Sequence, residues 1–239
     1  MKLSTLEELR AARAAGRAVA LATWLDGRDQ RVLDDAPGSA DDSAAAALAV
    51  TVAQVLRDER AQVVSVDGAE VFVEPHLPTA RLLLVGAVHI AEPLAAMAAM
   101  AGFAVTIIDP RRAWATAARF PGQTLMTTWP DEAVAALRPD LRTAVVTLTH
   151  DPKLDDPALV AALATAAFYV GCLGSQKTHA ARRERLAAAG VDGPALDRLR
   201  GPVGLRIGAR SPAEIAVSIL AEIVATLRGA TMRGQRDVR

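Results

Sequence analysis

The chain has a single cysteine, Cys172, which excludes an internal disulfide and fits a reducing compartment. It has no net charge: 27 basic residues stand against 27 acidic ones, so no overall field gathers a polynucleotide or an anionic membrane around it. Nucleic acid is therefore not expected as a partner. An apolar signal core is missing too, because the N-terminus, MKLSTLEELRAARAAGR, alternates charged with apolar residues and reads as an amphipathic helix of a cytoplasmic protein. No run is long enough to span a membrane. The longest weakly polar span, Val85 to Ile108, contains His89, Glu92 and Pro93 and breaks at Gly102, so it reads as strand, helix and strand. What is present is a globular composition, 51% hydrophobic over 239 residues, enough for one large domain or for a domain with a smaller partner.

The pattern changes once along the chain. Up to residue 78 it reads as a small α+β unit: a helix at Leu6 to Ala15, strands at Ala18 to Trp24 and Gln30 to Leu33 joined through Asp26-Gly27, and a polar loop at Asp34 to Ser43. A helix at Ser43 to Arg60 follows, then strands at Gln62 to Val66 and Ala69 to Glu74 around Asp67-Gly68, and a linker at Pro75 to Thr79 in which His76 is solvated. Nothing in this unit forms a catalytic constellation. From 79 to 230 strands alternate with helices, which implies a parallel, doubly wound, Rossmann-like α/β sheet, with a flexible tail at 231–239. Its strands are expected at Arg81 to Val85, Ala104 to Ile108, Gln123 to Thr127, Thr143 to Leu148 and Ala167 to Gly171. The helices are expected at Pro93 to Met100, Arg112 to Arg119, Asp131 to Leu137, Pro157 to Ala166, Thr178 to Ala189, Gly193 to Leu199 and Pro212 to Arg228. The last has a well-marked start, with Ser211 as N-cap, Pro212 first and Glu214 third.

Ligands of such sheets bind beyond the carboxyl ends of the strands, and several polar clusters fall there. The apolar run Thr143 to Leu148 stops at Thr149, His150, Asp151, Pro152 and Lys153, with Asp155 and Asp156 close behind. Thr149 to Lys153 reads either as a ligand loop or as a solvated loop with Asp156 capping a helix that opens at Pro157. Gly86-Ala87-Val88-His89 ends the first strand, and Asp109 ends the second about 20 residues on, the outline of a dinucleotide-binding unit. The branched Val88 fills the space a pyrophosphate needs, which argues against an ordinary NAD site and leaves either no nucleotide or one held differently. Arg111 and Arg112 follow Asp109 and could bind a ribose, a phosphate or a carboxylate, or pair with Asp109. Gly171-Cys172-Leu173-Gly174-Ser175 with Lys177, Thr178 and His179 forms either a phosphate cradle or a solvated glycine turn. His89, His150 and His179 each follow a strand, and the usual strand order brings them to one crevice. Their spacing matches no zinc signature, so no metal site is assigned, and Cys172 reads as a small buried residue.

At these residues the chain resembles the C-terminal Rossmann domain of the XdhC/CoxI family. The resemblance is carried by VGAVHIAEPLAAMAAMAGFAVTIIDPR, RFPG, WPDE, LTHDPKLDDPAL, YVGCLGSQKTHAARRERL and GARSPAEIAVSILAEIV, in unbroken order from Arg81 to Gly229. It implies a non-catalytic maturation factor for a molybdenum hydroxylase of the xanthine dehydrogenase or carbon monoxide dehydrogenase type. Such a factor binds the molybdenum cofactor, as molybdopterin, its dinucleotide form or another nucleotide, and helps modify and insert it. The partners implied are the hydroxylase apoenzyme, a sulfur donor or cofactor-modifying protein, and a second copy of the chain. Gly86, His89, Asp109 and Arg111 are then expected around one end of the ligand, with Thr149, His150, Asp151, Lys153, Gly174, Ser175, Lys177, Thr178 and His179 around its phosphates. Two other functions fit the residues alone: an NAD(P)-dependent oxidoreductase, and an interaction module that binds no ligand. The family's Gly-Ser-x-Pro-Arg and Gly-Gly-Cys motifs do not occur before Thr79. Val88 stands where many relatives have glycine, and Arg206 in Gly204-Leu205-Arg206-Ile207-Gly208 stands where they have aspartate. These departures point to a different ligand, or to a partner chain that supplies the missing half.

Overall fold

The structure, a computed structural model, describes residues 2–34 and 43–230. The loop expected between Asp34 and Ser43 and the tail expected at 231–239 lie outside the described residues. The chain divides into two compact units, Met1–Pro78 and Thr79–Arg239.

The first unit runs α1 (Leu3–Ala14), β1 (Val19–Trp24), β2 (Gln30–Leu33), α2 (Ser43–Asp58), β3 (Gln62–Val66) and β4 (Ala69–His76). Its strands form one antiparallel sheet in the order β2-β1-β4-β3. Asp67 and Gly68, both at positive φ, make the tight turn between β3 and β4 whose twist suits a hairpin. Ala20, Ala22 and Trp24 alternate along β1 onto the same face as Val71 and Val73 of β4, and that face packs on Leu48, Val52 and Val55 of α2. The expected linker starts later than its prolines suggest. Pro75 and His76 pair with Ala20 and Val19 as the last residues of β4. Leu25 donates its N–H to the Glu70 carbonyl, so even-numbered residues of β4 bond to β1 and the nitrogen of Pro75 faces the other side, beyond the start of β3. Its missing N–H therefore costs no ladder bond.

The second unit holds β5 (Arg81–Val85), α3 (Ala91–Met100), β6 (Ala104–Ile108), β7 (Thr124–Met126), α4 (Pro130–Leu137) and β8 (Thr143–Thr147), followed by α5 (Pro152–Leu163), β9 (Tyr169–Cys172), α6 (Gln176–Ala188), α7 (Gly193–Asp197), β10 (Leu199–Arg200) and α8 (Pro212–Leu227). All neighbouring strands are parallel, in the order β10-β9-β8-β5-β6-β7. This is the doubly wound, Rossmann-like arrangement expected from the sequence, with the first strand of the unit beside the fourth. Alternate residues of each strand serve opposite layers: Leu82, Leu84, Ile107 and Val146 pack with Leu94 of α3 and Ile219 and Ile223 of α8. Leu83, Val85, Val145 and Val170 pack with Leu159 and Leu163 of α5 and Leu186 of α6. Burying each such side chain contributes about 2 kcal/mol, so both faces of the sheet are anchored and its carboxyl rim is a rigid platform.

Two expected helices differ. Residues 112–119 form successive turns, closed by Trp114 N–H to Arg111 O and Phe120 N–H to Thr116 O, because the Arg119 guanidinium is drawn to Glu92 and to the Trp114 carbonyl. The helix expected from Pro157 begins at Pro152, capped by Asp151 rather than Asp156. Pro157 sits in its second turn and forfeits only the bond to the carbonyl of Lys153. Among the described residues no helix is long and apolar enough to cross a membrane.

Candidate functional site

The chain leaves β5 for one side of the sheet and returns in β8 for the other, so the loops after these two strands part at the switch point. Gly86 turns there at φ +110, and a Cβ on it would stand 2.5 Å from Cγ2 of Thr149. Glycine is required because the Thr149 methyl occupies that space. The first two predicted loops therefore do touch.

Asp109, at the end of β6, is fully buried. It accepts from Ala87 N–H (2.8 Å), Arg111 N–H (2.9 Å), Arg111 Nε (2.9 Å) and Arg111 Nη2 (2.8 Å). Burial pushes its carboxyl up, but the Arg111 guanidinium and the two amides hold it below the usual carboxylate range. All four acceptor positions are filled, so Asp109 has none left for a ribose hydroxyl. It is a positioning group for Arg111, whose guanidinium is also held 4.7 Å from the ring centroid of Trp114. Of the two, Arg111 is the side chain left accessible, at 38% exposure against 0% for Asp109.

A second buried anchor organises the loops after β8 and β9. Asp155 accepts from the Thr149 hydroxyl (2.7 Å), Thr149 N–H (3.3 Å), His150 N–H (3.1 Å) and Arg182 Nη2 (3.3 Å), while Arg182 Nη1 donates to the Leu173 carbonyl (3.1 Å). Asp155 is 0% exposed and Arg182 2%. Burial pushes the Asp155 carboxyl up, against the pull of the Thr149 hydroxyl and of Arg182. One acid thus gathers the donors of the 149–150 segment, and its partner fixes the 173–174 segment. Neither Asp155 nor Arg182 is among the site residues expected from the sequence. The signal for them is spacing: each lies four residues before a buried leucine, Leu159 or Leu186, on the face its helix turns inward. The Thr149 hydroxyl is spent on this anchor and does not face a ligand. His150, in the left-handed region at φ 61, projects outward with Asp151 and Lys153, and Asp151 accepts from Lys153 N–H (2.9 Å) as the cap of α5.

After β9, Ser175 caps α6 by accepting from Thr178 N–H (3.1 Å), with the two hydroxyl oxygens 2.9 Å apart. His179 N–H bonds to the Ser175 carbonyl, leaving the amides of Gln176 and Lys177 without an intrahelical acceptor. Gly174, Ser175, Lys177 and Thr178 are together here. His179 departs from the expected convergence. Its Nδ1 lies 3.7 Å from Sγ of Cys172, and a Cβ on Gly201 would stand 2.0 Å from that nitrogen, so the ring faces β9 and the segment after β10. Burial, then the charges of Arg183 and Arg182, push its pKa down. His89 and His150 are exposed. Cys172 is fully buried and its thiol is pushed up by burial, which makes it inert packing. Among the described residues no three His, Cys, Asp or Glu side chains are placed to hold a metal ion.

The helix starts differ in what they can bind. In α3, Val88 is half-buried against the core, Pro93 has no N–H, and Glu92 in the first turn is paired with Arg119. A pyrophosphate has no fit there, which weighs against a dinucleotide held in the ordinary way. The start of α6 has no acid in its first turn and carries Lys177, Ser175 and Thr178. Lys153 in the first turn of α5 and Arg111, locked at the end of β6, add cationic groups after the neighbouring strands, so the start of α6 is the helix start here with the chemistry to take an anion.

The chain is similar to known proteins over this same unit. The family described as the XdhC Rossmann domain matches residues 82–223, more than half of the chain. A Bacillus subtilis (strain 168) protein described as a probable xanthine dehydrogenase subunit is 35% identical over 156 residues, covering 65% of this chain and 45% of its own length. The Escherichia coli (strain K12) molybdenum cofactor insertion chaperone PaoD is 33% identical over 146 residues, 61% of this chain and 40% of its own length. The chain thus spans less than half the length of these curated relatives. A solved structure from Bacillus halodurans, described as a xanthine dehydrogenase, shares the fold with a TM-score of 0.68 at 23% identity, over 98% of this chain and 66% of that one. The family match covers more than half of the chain and the fold agrees with it: the chain belongs to the XdhC Rossmann domain family.

Proposed function

We propose that this chain is an accessory factor for the maturation of a molybdenum hydroxylase, and that its Rossmann-like unit holds the phosphate-bearing end of the molybdenum cofactor. The observation that carries this reading is the buried Asp155–Arg182 pair. It fixes the segments after β8 and β9 that carry Lys153, Lys177 and the free amides of α6, and the first turn of α6 holds no competing acid. Arg111, fixed by Asp109 and Trp114, offers a second cationic contact. His89 and His150 are exposed. In this reading Gly86, Asp109, Thr149 and Asp151 shape the loops, and Gly174, Ser175 and Thr178 line the phosphate end. The names of two relatives point the same way, toward xanthine dehydrogenase and cofactor insertion. Once handed to the apoenzyme, the cofactor supplies the redox chemistry. The chain's own residues bind and orient it and shield its anionic end, and they carry out no catalytic step. The apoenzyme is then the partner, and the cytoplasm the place of transfer.

The test is to purify the chain from cells that make the cofactor and to assay retained molybdopterin after oxidation to its fluorescent derivative. The wild type retains pterin, and the Lys153→Ala, Lys177→Ala double variant retains at least about tenfold less, the loss expected when two charge-assisted phosphate contacts go. Absence of pterin from the wild type, together with normal hydroxylase activity in cells lacking the chain, overturns the proposal.

A further inference from the structure

Sheet edges expose unpaired main-chain groups, and proteins guard them with charge, proline, brevity or a cover. Three of the four edges described here are guarded. In the parallel sheet β7 has three residues and β10 two, too short to template a partner. At one edge of the antiparallel sheet, β2 carries Arg31, whose guanidinium lies 5.0 Å from the Trp24 ring centroid and bonds to Asp29 at 2.7 Å. The remaining edge, β3, has none of these devices. It reads Gln62-Val63-Val64-Ser65-Val66, with no charge, no proline and no glycine, and Val63 is 55% exposed.

The register says which groups are free. Asp67 and Gly68 form the hairpin turn, so the Val66 carbonyl accepts from Ala69 N–H and the Val66–Ala69 pair is a bonded one. Leu25 N–H donates to the Glu70 carbonyl, which independently assigns Glu70 and Phe72 to the β1 side and Val71 and Val73 to the β3 side. By alternation Gln62, Val64 and Val66 bond to β4. Val63 and Ser65 turn their N–H and C=O groups away from it, and among the described residues these four groups have no partner. Val64 and Val66 pack toward α2, which leaves Val63 and Ser65 on the opposite face.

We propose that the β3 edge is an interaction surface for a second copy of this chain, joining two four-stranded sheets into one eight-stranded antiparallel sheet about a two-fold axis at Val64. The edge is self-complementary in that register. Val63 of each copy stands opposite Ser65 of the other, so both outward-facing residues of each strand exchange bonds with outward-facing mates. Val64 faces itself, a β-branched pair with no charge to repel. A two-fold contact must place the same patch against itself, and a charged residue within the strand would oppose its own kind or leave a charge unpaired. β3 has none. The inference does not depend on the cofactor reading above.

The experiment is sedimentation equilibrium of the full chain from sub-micromolar to about 100 µM, bracketing the weak association expected of a small edge contact. The wild type moves with concentration from 25.0 kDa to twice that mass. Val63→Lys puts a charge on the edge, and Ser65→Pro removes an outward N–H that β4 does not use. Each weakens association by about tenfold or more, whereas Arg31→Ala on the opposite edge leaves it unchanged. Amide hydrogen exchange of the wild type tests the same contact without mutation: Val63 and Ser65 become protected only at the concentrations that give the doubled mass. A wild type that stays at 25.0 kDa throughout, or a dimer that survives both substitutions or forms without protecting these amides, overturns the proposal.

Discussion

The site rests on two residues that face no ligand. Arg182 is buried with Asp155 as its nearer charge partner, so Asp155→Asn leaves a guanidinium in the core with only Asp156, 3.8 Å from its Nε, as counter-charge and costs about 3 kcal/mol, enough to lower the melting temperature by roughly 10 °C. Adding Arg182→Met recovers much of the loss, since the buried charge then leaves with its partner. Urea unfolding of the single and double variants checks both expectations. Gly86→Ala meets two penalties at one atom, a φ of +110 and a contact of 2.5 Å with Thr149, and should cost on the order of 2 kcal/mol in the same assay. His179 gives the chain a pH dependence whose sign follows from its surroundings. Burial and two neighbouring arginines lower its folded pKa below the ordinary value of 6.5, so the unfolded chain takes up the proton first as pH falls. Stability should therefore decline from pH 6.5 downward until the folded pKa is reached. Melting curves of His179→Gln should lack that part of the slope.

At the scale of elements, the caps decide how the rim is presented. Asp151→Ala and Ser175→Ala should each cost about 1 kcal/mol by leaving amides of α5 or α6 unsatisfied, readable as a lower urea midpoint. Much of this scale is legible in the sequence. Strands such as Thr143–Thr147 are continuous β-branched runs, and the start of α8 combines a serine cap, proline and glutamate. What misleads is proline: Pro157 reads as a helix start although Asp151-Pro152 supplies the same signal five residues earlier, and Pro75 reads as linker although its nitrogen faces a side of β4 with nothing to bond. Residues 112–119 have helical composition, but the pull of Glu92 on Arg119 is a contact between distant segments that no local window contains. The candidate site is legible as a set of loops and less so as a set of roles. Asp109 and Thr149 carry ligand-like side chains that are spent on Arg111 and Asp155, and His179 turns toward Cys172. Sequence order places a residue on a rim but does not say which way its oxygen or imidazole points.

The whole molecule is two units with separate cores, and this makes its unfolding readable. The second unit contains all six strands of its sheet and covers both faces with its own helices, so residues 79–230 should fold alone and keep any affinity for anionic ligands. The first unit has one layer of helix on one face of four strands, and a unit of fewer than about 80 residues buries a smaller share of its surface and is the less stable of the two. The three tryptophans separate the two events. Trp24 is buried in the first unit, whereas Trp114 and Trp129 of the second are 40% and 53% exposed, so the fluorescence change on unfolding reports mainly the first unit while circular dichroism at 222 nm reports both. Urea titration should accordingly give a fluorescence midpoint below that of circular dichroism, and the fragment 79–230 should show only the later transition. Coincident midpoints in the full chain, with a fragment that fails to unfold cooperatively, would mean that the sheet of the second unit does not stand without the first.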